Sequence, residues 1–291
     1  MIRPSRRAFV RGAAASLLLP RPGYGQSAAP SPLTAAQVAE RIRANLGVAW
    51  REKTIDGFKA GTPETVVTGI VTSVMATRAV LARAVELRRN LVITQEPVFY
   101  NANDDPGNRA SDAVYVAKKA YIEQHGLVVF RFSDHWNARQ PDPRTAALAR
   151  ELAWPAPDAG GVVRIGDTGF ADLVAHVRQR LQIRGGLRTI GAPAMRVRSL
   201  LISPGTTDVP AVRAAIAQVD VVIAGEPREW EVVPYLHDSR EAGASKGLIA
   251  VGRVVSENPG MKACADWIKS FVTQVPVEAI AAGDPYWSPS A

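Results

Sequence analysis

Short apolar, β-branched runs alternate with amphipathic stretches of helical spacing from about residue 35 onward. A parallel strand buried on both faces reads as a continuous apolar run, and its return connection is a helix with one apolar face. Residues 66–74, 90–94, 127–132, 162–165, 197–203, 221–224, 248–251 and 277–281 have the strand character. Residues 34–47, 77–89, 111–125, 144–152, 170–182, 209–218, 230–242 and 261–272 have the helical spacing. Thr77 stands where an N-cap belongs, and Gly126 stops the third helix. The alternation predicts an α/β fold with two similar lobes of mainly parallel sheet. The stretch "WPAPDAGG" predicts the divide between them near residues 153–161. A chain of 291 residues is long enough for one large domain or two lobes with a core.

The net charge of +8 is unevenly placed. Arg3, Arg6, Arg7, Arg11 and Arg21 account for five of these charges and have no acid among them, which leaves +3 for the rest. No long basic stripe remains, which argues against a nucleic-acid-binding protein. The apolar run at 13–19 is too short to span a bilayer, so stable membrane insertion is not expected. "SRRAFV" resembles a twin-arginine export signal, which predicts a leader over residues 1–28, a Pro/Ser/Ala linker at 29–33, and a periplasmic or otherwise exported protein. The alternative is a basic, disordered tail. Cys264 is the single cysteine, so no intrachain disulfide forms, and in "MKACADWIK" it is expected to pack as a small apolar residue. A reactive thiol is the other reading.

Ligands of open α/β sheets gather at the carboxyl ends of the strands. Those positions hold Gln95 and Glu96, then Asp134, His135 and Asn137, then "SPGTT", then Glu226, then Arg253 and Glu257. Acids are numerous there. Glu226 either lines the pocket or caps the next helix, and "SPGTT" is either an anion-holding helix start or a plain turn. His125, His176 and His237 fall on predicted helix ends and surfaces and are given no chemistry.

In order and spacing, these tips resemble the Nif-three-like family of dinuclear-metal-centre toroid proteins, also described as type 2 GTP cyclohydrolase I homologues. The resemblance runs through "VVTGIVTSVMATRAVLARAVELRRNLVITQEPVFY", "RFSDHWNARQPD", "VDVVIAGEPREWEVVPYLHDSREAG" and "GLIAVGRVVSENPGMKACADWI". It implies two divalent ions bridged by carboxylates and held by imidazoles, a site able to activate water for hydrolysis, and a ring of six chains. Where the family has histidine, this sequence has Gln95, Asn137 and Arg253. Glu96, Glu257, Asp134 and His135 match the remaining metal-holding positions. Gln and Asn offer neutral oxygens, and Arg stays protonated and cannot ligate.

Arg253 is therefore expected to neutralise Glu96 and Glu257 in place of the ions. Three functions are compatible with these residues. One is a metal-dependent hydrolase with a reduced, single-ion site, which its oxygen-rich ligands would fit to magnesium or manganese. The second is a non-catalytic toroid that binds a small polar ligand or serves as a scaffold. The third is a monomeric two-lobed solute binder.

Overall fold

A computed structural model describes residues 32–286. The leader expected over 1–28, and residues 29–31 of the linker, lie outside them. In chain order the first elements are α1 (Ala35–Ala44), β1 (Gly57–Ala60), β2 (Ile70–Ser73), α2 (Arg78–Glu86), β3 (Leu91–Thr94), α3 (Ala113–Gln124), β4 (Val128–Arg131), α4 (Asp134–Ala138) and α5 (Pro143–Glu151). Then come β5 (Val162–Gly169), α6 (Phe170–Arg180), β6 (Arg188–Ile190), β7 (Arg196–Thr207), α7 (Val209–Ala215), β8 (Val221–Pro227), α8 (Glu229–Glu241) and β9 (Gly247–Ala250). α9 (Arg253–Lys269) and β10 (Val277–Ala279) are the last.

The helices begin where the sequence supplies caps. Thr34 and Gln37 form a reciprocal capping box on α1, with each backbone N–H bonded to the other's side chain. The Thr77 hydroxyl accepts from the Val80 N–H at 3.2 Å, as its position predicted. Asp112 and Asp142 do the same for α3 and α5. Every residue of β2, β3, β4 and β9 is buried, which explains their mainly apolar composition; the polar exceptions, Thr72, Ser73, Thr94 and Arg131, lie toward the carboxyl ends of β2, β3 and β4.

Two five-stranded sheets result, in the orders β1-β4-β3-β2-β10 and β5-β7-β8-β9-β6. The inner strands run parallel, while β1, β5 and β6 pair antiparallel at edges. This is the two-lobed, mainly parallel α/β fold that the alternation predicts.

The division between lobes is less simple than a cut at 153–161. Leu148, Ala149 and Leu152, at and just after α5, already belong to the core of the second sheet, with Leu200, Ile223 and Ile249. After β9 the chain returns. Met261, Cys264 and Ile268 of α9 sit in the first core with Ile70, Ile93 and Phe130. β10 then pairs in parallel with β2, with Val277 opposite Ile70. Burying one such side chain stabilises by roughly 1.5–3 kcal/mol, so α9 ties the two cores together. Cys264 is fully buried there, and burial pushes its thiol far up, which leaves the packing reading and removes the reactive one. Among the described residues no helix is long and apolar enough to cross a membrane.

Three further differences concern the site. α9 starts at Arg253, not at 261. "SPGTT" is neither a turn nor a helix start: it lies inside β7, with the register shifting between Ser203 and Thr206. Residues 134–138 form the short helix α4.

Candidate functional site: an arginine among carboxylates

The parallel ladder continues past β3. The Gln95 N–H donates to Ser73 O at 3.2 Å and the Glu96 N–H to Val74 O at 2.8 Å, so both residues are held at the sheet edge. Opposite them, Gly252 turns the chain out of β9 with φ of +95°, a conformation that favours glycine. Arg253 is thus the first residue of α9, and Glu257 follows one turn later on the same face. β7 supplies the roof. Gly205 has φ of +70° and donates its N–H to Ser256 Oγ at 3.0 Å. A Cβ on Gly205 would lie 2.5 Å from Glu257 Oε1. Only bare backbone fits over that carboxylate.

Arg253 is the centre of the cluster. Its NH2 and Nε donate to Glu96 Oε1 at 2.8 and 3.0 Å. Its NH1 donates to Glu226 Oε2 at 3.1 Å and also to the Thr206 hydroxyl. Its Nε lies 3.9 Å from Glu257 Oε2. Burial alone would lower the Arg253 pKa, but the carboxylates, Glu96 foremost, hold it above its ordinary value.

Glu257 is the floor, with its side chain 1% exposed, while Glu226 at 59% is the rim. Its Oε1 accepts from Gln95 Nε2 at 2.6 Å and from Arg144 NH1 at 3.4 Å. Asp142, which caps α5, grips Arg144 through Nε and NH2 at 3.2 and 3.1 Å. Burial pushes the Glu257 carboxyl up to about 7; Glu96 adds to this, and Arg253 and Arg144 oppose it. A cavity of about 370 Å³ lies beside the cluster, with Asn137, Asp142, Arg144, Ser203 and Thr206 in its wall. Gln95 Oε1, Asn137 Oδ1 and Glu257 Oε2 are buried and have no hydrogen-bond partner among the described residues.

The expected metal-holding pair Asp134 and His135 does not join this cluster. His135 is fully buried, and its Nε2 accepts from the Arg51 N–H at 2.9 Å. The proton therefore sits on Nδ1, which donates to Asp56 Oδ2 at 2.7 Å. The ring also stacks on Trp50, with centroids 3.8 Å apart. No nitrogen is left to ligate an ion. Asp56 at the same time accepts the N–H groups of Ser133, Asp134 and His135 and so caps α4. The Asp134 carboxylate accepts from Thr54 Oγ1 at 2.8 Å and the Ile55 N–H at 3.1 Å. Burial pushes that carboxyl up, yet these bonds and Arg51 together hold it below its ordinary value. Both side chains tie α4 to residues 50–56, which is a structural task. Among the described residues, no group of three or more His, Cys, Asp and Glu side chains is arranged to hold a metal ion.

A two-ion centre does not fit these residues. A guanidinium already bridges two of the carboxylates and stands near the third, a second guanidinium reaches Glu257, and the one imidazole at hand is spent. Sequence reasoning placed Gln95, Glu96, Glu226, Arg253 and Glu257 together, and they do meet. It missed Arg144, Asp142, Thr206 and Gly205. Arg144 sits in "PDPRTAALAR", which reads as an ordinary helix start, and the only available signal was its Asp-Pro cap. Gly205 and Thr206 lie in "SPGTT", whose proline and glycine read as a turn or a helix start and not as a strand.

Two mainly parallel sheets whose strand tips converge on one acidic pocket define a two-lobed α/β protein. A family model described as Duf34/NIF3 (NGG1p interacting factor 3) matches residues 33–285, and the chain belongs to this family. Solved structures agree in fold. The Staphylococcus aureus hypothetical protein SA1388 superposes with a TM-score of 0.70 at 15% identity, covering 88% of this chain and 99% of its own. A Bacillus cereus protein related to NIF3 gives 0.69 at 12% identity, with the same coverage. Reduced HcgD from Methanocaldococcus jannaschii gives 0.58 at 14% identity, covering 86% of this chain and 98% of its own. No curated protein matches the chain.

Proposed function

We propose that this chain is a metal-independent Duf34/NIF3 protein that binds a small polar ligand at the Arg253 cluster. The observation that carries the reading is Arg253 itself, 2.8 Å from Glu96 and 3.1 Å from Glu226. A fixed cation bonded to the acids removes the anionic bridge that two ions need. The ligand would enter the neighbouring cavity and offer an N–H or O–H group to Asn137 Oδ1 in its wall, because an unpaired buried acceptor is costly until a donor meets it. The proposal includes a ring of six chains, which native mass spectrometry tests. It also includes export, which N-terminal sequencing of the mature chain tests.

A second reading, a hydrolase with one oxygen-ligated magnesium or manganese ion, draws support from the unpartnered Gln95 Oε1 and Glu257 Oε2. It requires Arg253 to leave its partners. Elemental analysis of protein purified without chelator, followed by titration with manganese and zinc, separates the two. We expect well under one ion per chain in the natural protein, and uptake in the triple variant Gln95→His, Asn137→His, Arg253→His. About two ions per natural chain, the stoichiometry of an intact centre, would overturn the proposal; an unresponsive triple variant would show that the site is misplaced.

A further inference from the structure

A second cavity, of about 600 Å³, opens against α9 between the end of α6 and the stretch following β10. Its volume falls within the roughly 300–1,000 Å³ typical of small-molecule sites. Val255, Asn258, Pro259 and Lys262 line it. At about 100° per residue they occupy the face of α9 turned away from Arg253 and Glu257. α9 therefore presents the acid–arginine cluster on one side and this cavity on the other.

The walls are of two kinds. Ile183, Met261 and Ile280 give an apolar floor, and the first two of these are buried. Arg180, Arg184 and Lys262 stand around it, all exposed. Among the described residues none of these three has a carboxylate within 4.0 Å. Arg180 is steadied by its Nε, which donates to Glu151 O at 2.9 Å, and both its NH2 groups stay available. The acids in the wall are Glu151 and Asp284, and Asp284 already accepts from the Tyr286 N–H at 3.0 Å. Cations thus outnumber acids. Pro259 has no N–H, so the Val255 carbonyl beside it lacks its α-helical donor and can accept from a ligand.

The geometry points to a second binding site, for an amphipathic organic anion. Its apolar body would lie on Ile183, Met261 and Ile280, and its carboxylate, sulfonate or phosphate would meet Arg180, Arg184 and Lys262. The site is independent of the metal question, because it shares α9 with the first cluster but none of its ionic residues.

The test uses the full chain and 8-anilinonaphthalene-1-sulfonate as probe, followed by fluorescence. We expect octanoate to displace the probe and inorganic phosphate not to do so at equal concentration. The double variant Arg184→Glu, Lys262→Glu should weaken probe binding roughly tenfold, a change of about 1.4 kcal/mol, while Lys119→Gln, at an exposed position of α3, leaves it unchanged. Unaltered affinity in the double variant, or displacement by phosphate as effective as by octanoate, would overturn the inference. If circular dichroism showed the double variant unfolded, Arg184→Gln, Lys262→Gln carries the same test with a smaller expected loss, and no loss there refutes the site equally.

Discussion

Burial of Glu257 couples the folding of this protein to pH. Burial pushes its carboxyl up to about 7 in the folded chain, against an ordinary value of 4.5. Between those values the native state keeps a proton that the unfolded chain has released. The stability this group contributes is therefore full below pH 4.5 and is lost as pH rises through 7. The span corresponds to at most on the order of 3 kcal/mol. Urea midpoints measured at pH 5 and pH 7.5 should show the natural protein losing stability across the window. Glu257→Gln should flatten that slope, since an amide keeps the Oε1 contacts to Gln95 and Arg144 without a titrating proton. A slope of equal size in the variant would mean that another group is responsible. The same scale explains what could be read from sequence about chemistry. Gln95, Glu96 and Arg253 were legible because residue type decides whether a position can ligate a cation. The fate of His135 was not, because it depends on Asp56 and the Arg51 N–H, both far away in sequence.

Elements were legible wherever a strand is buried on both faces or a helix has a cap and a stripe. β2, β3, β4 and β9 match the expected runs to within a few residues, and so do α1, α2 and α3. β1 and β6 escaped because they are short, only partly buried edge strands without an apolar run. α9 was read too late because "SENPG" looks like a turn. Pro259 falls inside the helix, and Gly260 is there so that α5 can approach: a Cβ would sit 3.0 Å from Arg144 Cγ. That close approach is what brings Arg144 to Glu257. The other close approach is the β7 roof. Gly205→Ala would introduce both a left-handed alanine and a methyl 2.5 Å from Glu257 Oε1. We expect a loss of about 2–4 kcal/mol in unfolding free energy, measured by chemical denaturation. Gly161→Ala, also at positive φ, brings its Cβ to 3.0 Å from the Ile202 carbonyl and otherwise only into ordinary contact with Leu201 and Thr145, and should cost less. Equal losses at both positions would show that backbone strain, not the carboxylate, sets the cost.

At the scale of the molecule, the second sheet is built from one unbroken stretch, whereas the first takes strands from both ends of the described chain. Deleting residues 276–291 removes β10, uncovers the β2 edge and takes Val277 from the first core. We expect the shortened protein to melt at least about 5 °C lower or to precipitate, because a bared apolar edge invites pairing with other chains. Thermal scanning with light scattering detects either outcome, and an unchanged transition would count against any structural role for β10. The interleaving also carries a temporal consequence. On the ribosome, the strands of the second sheet emerge complete while the first still lacks its outermost strand and the helix that seals it. The half made earlier is completed only when α9 and β10 follow the second sheet, so in the nascent chain the first core stays unsealed for longer than the second.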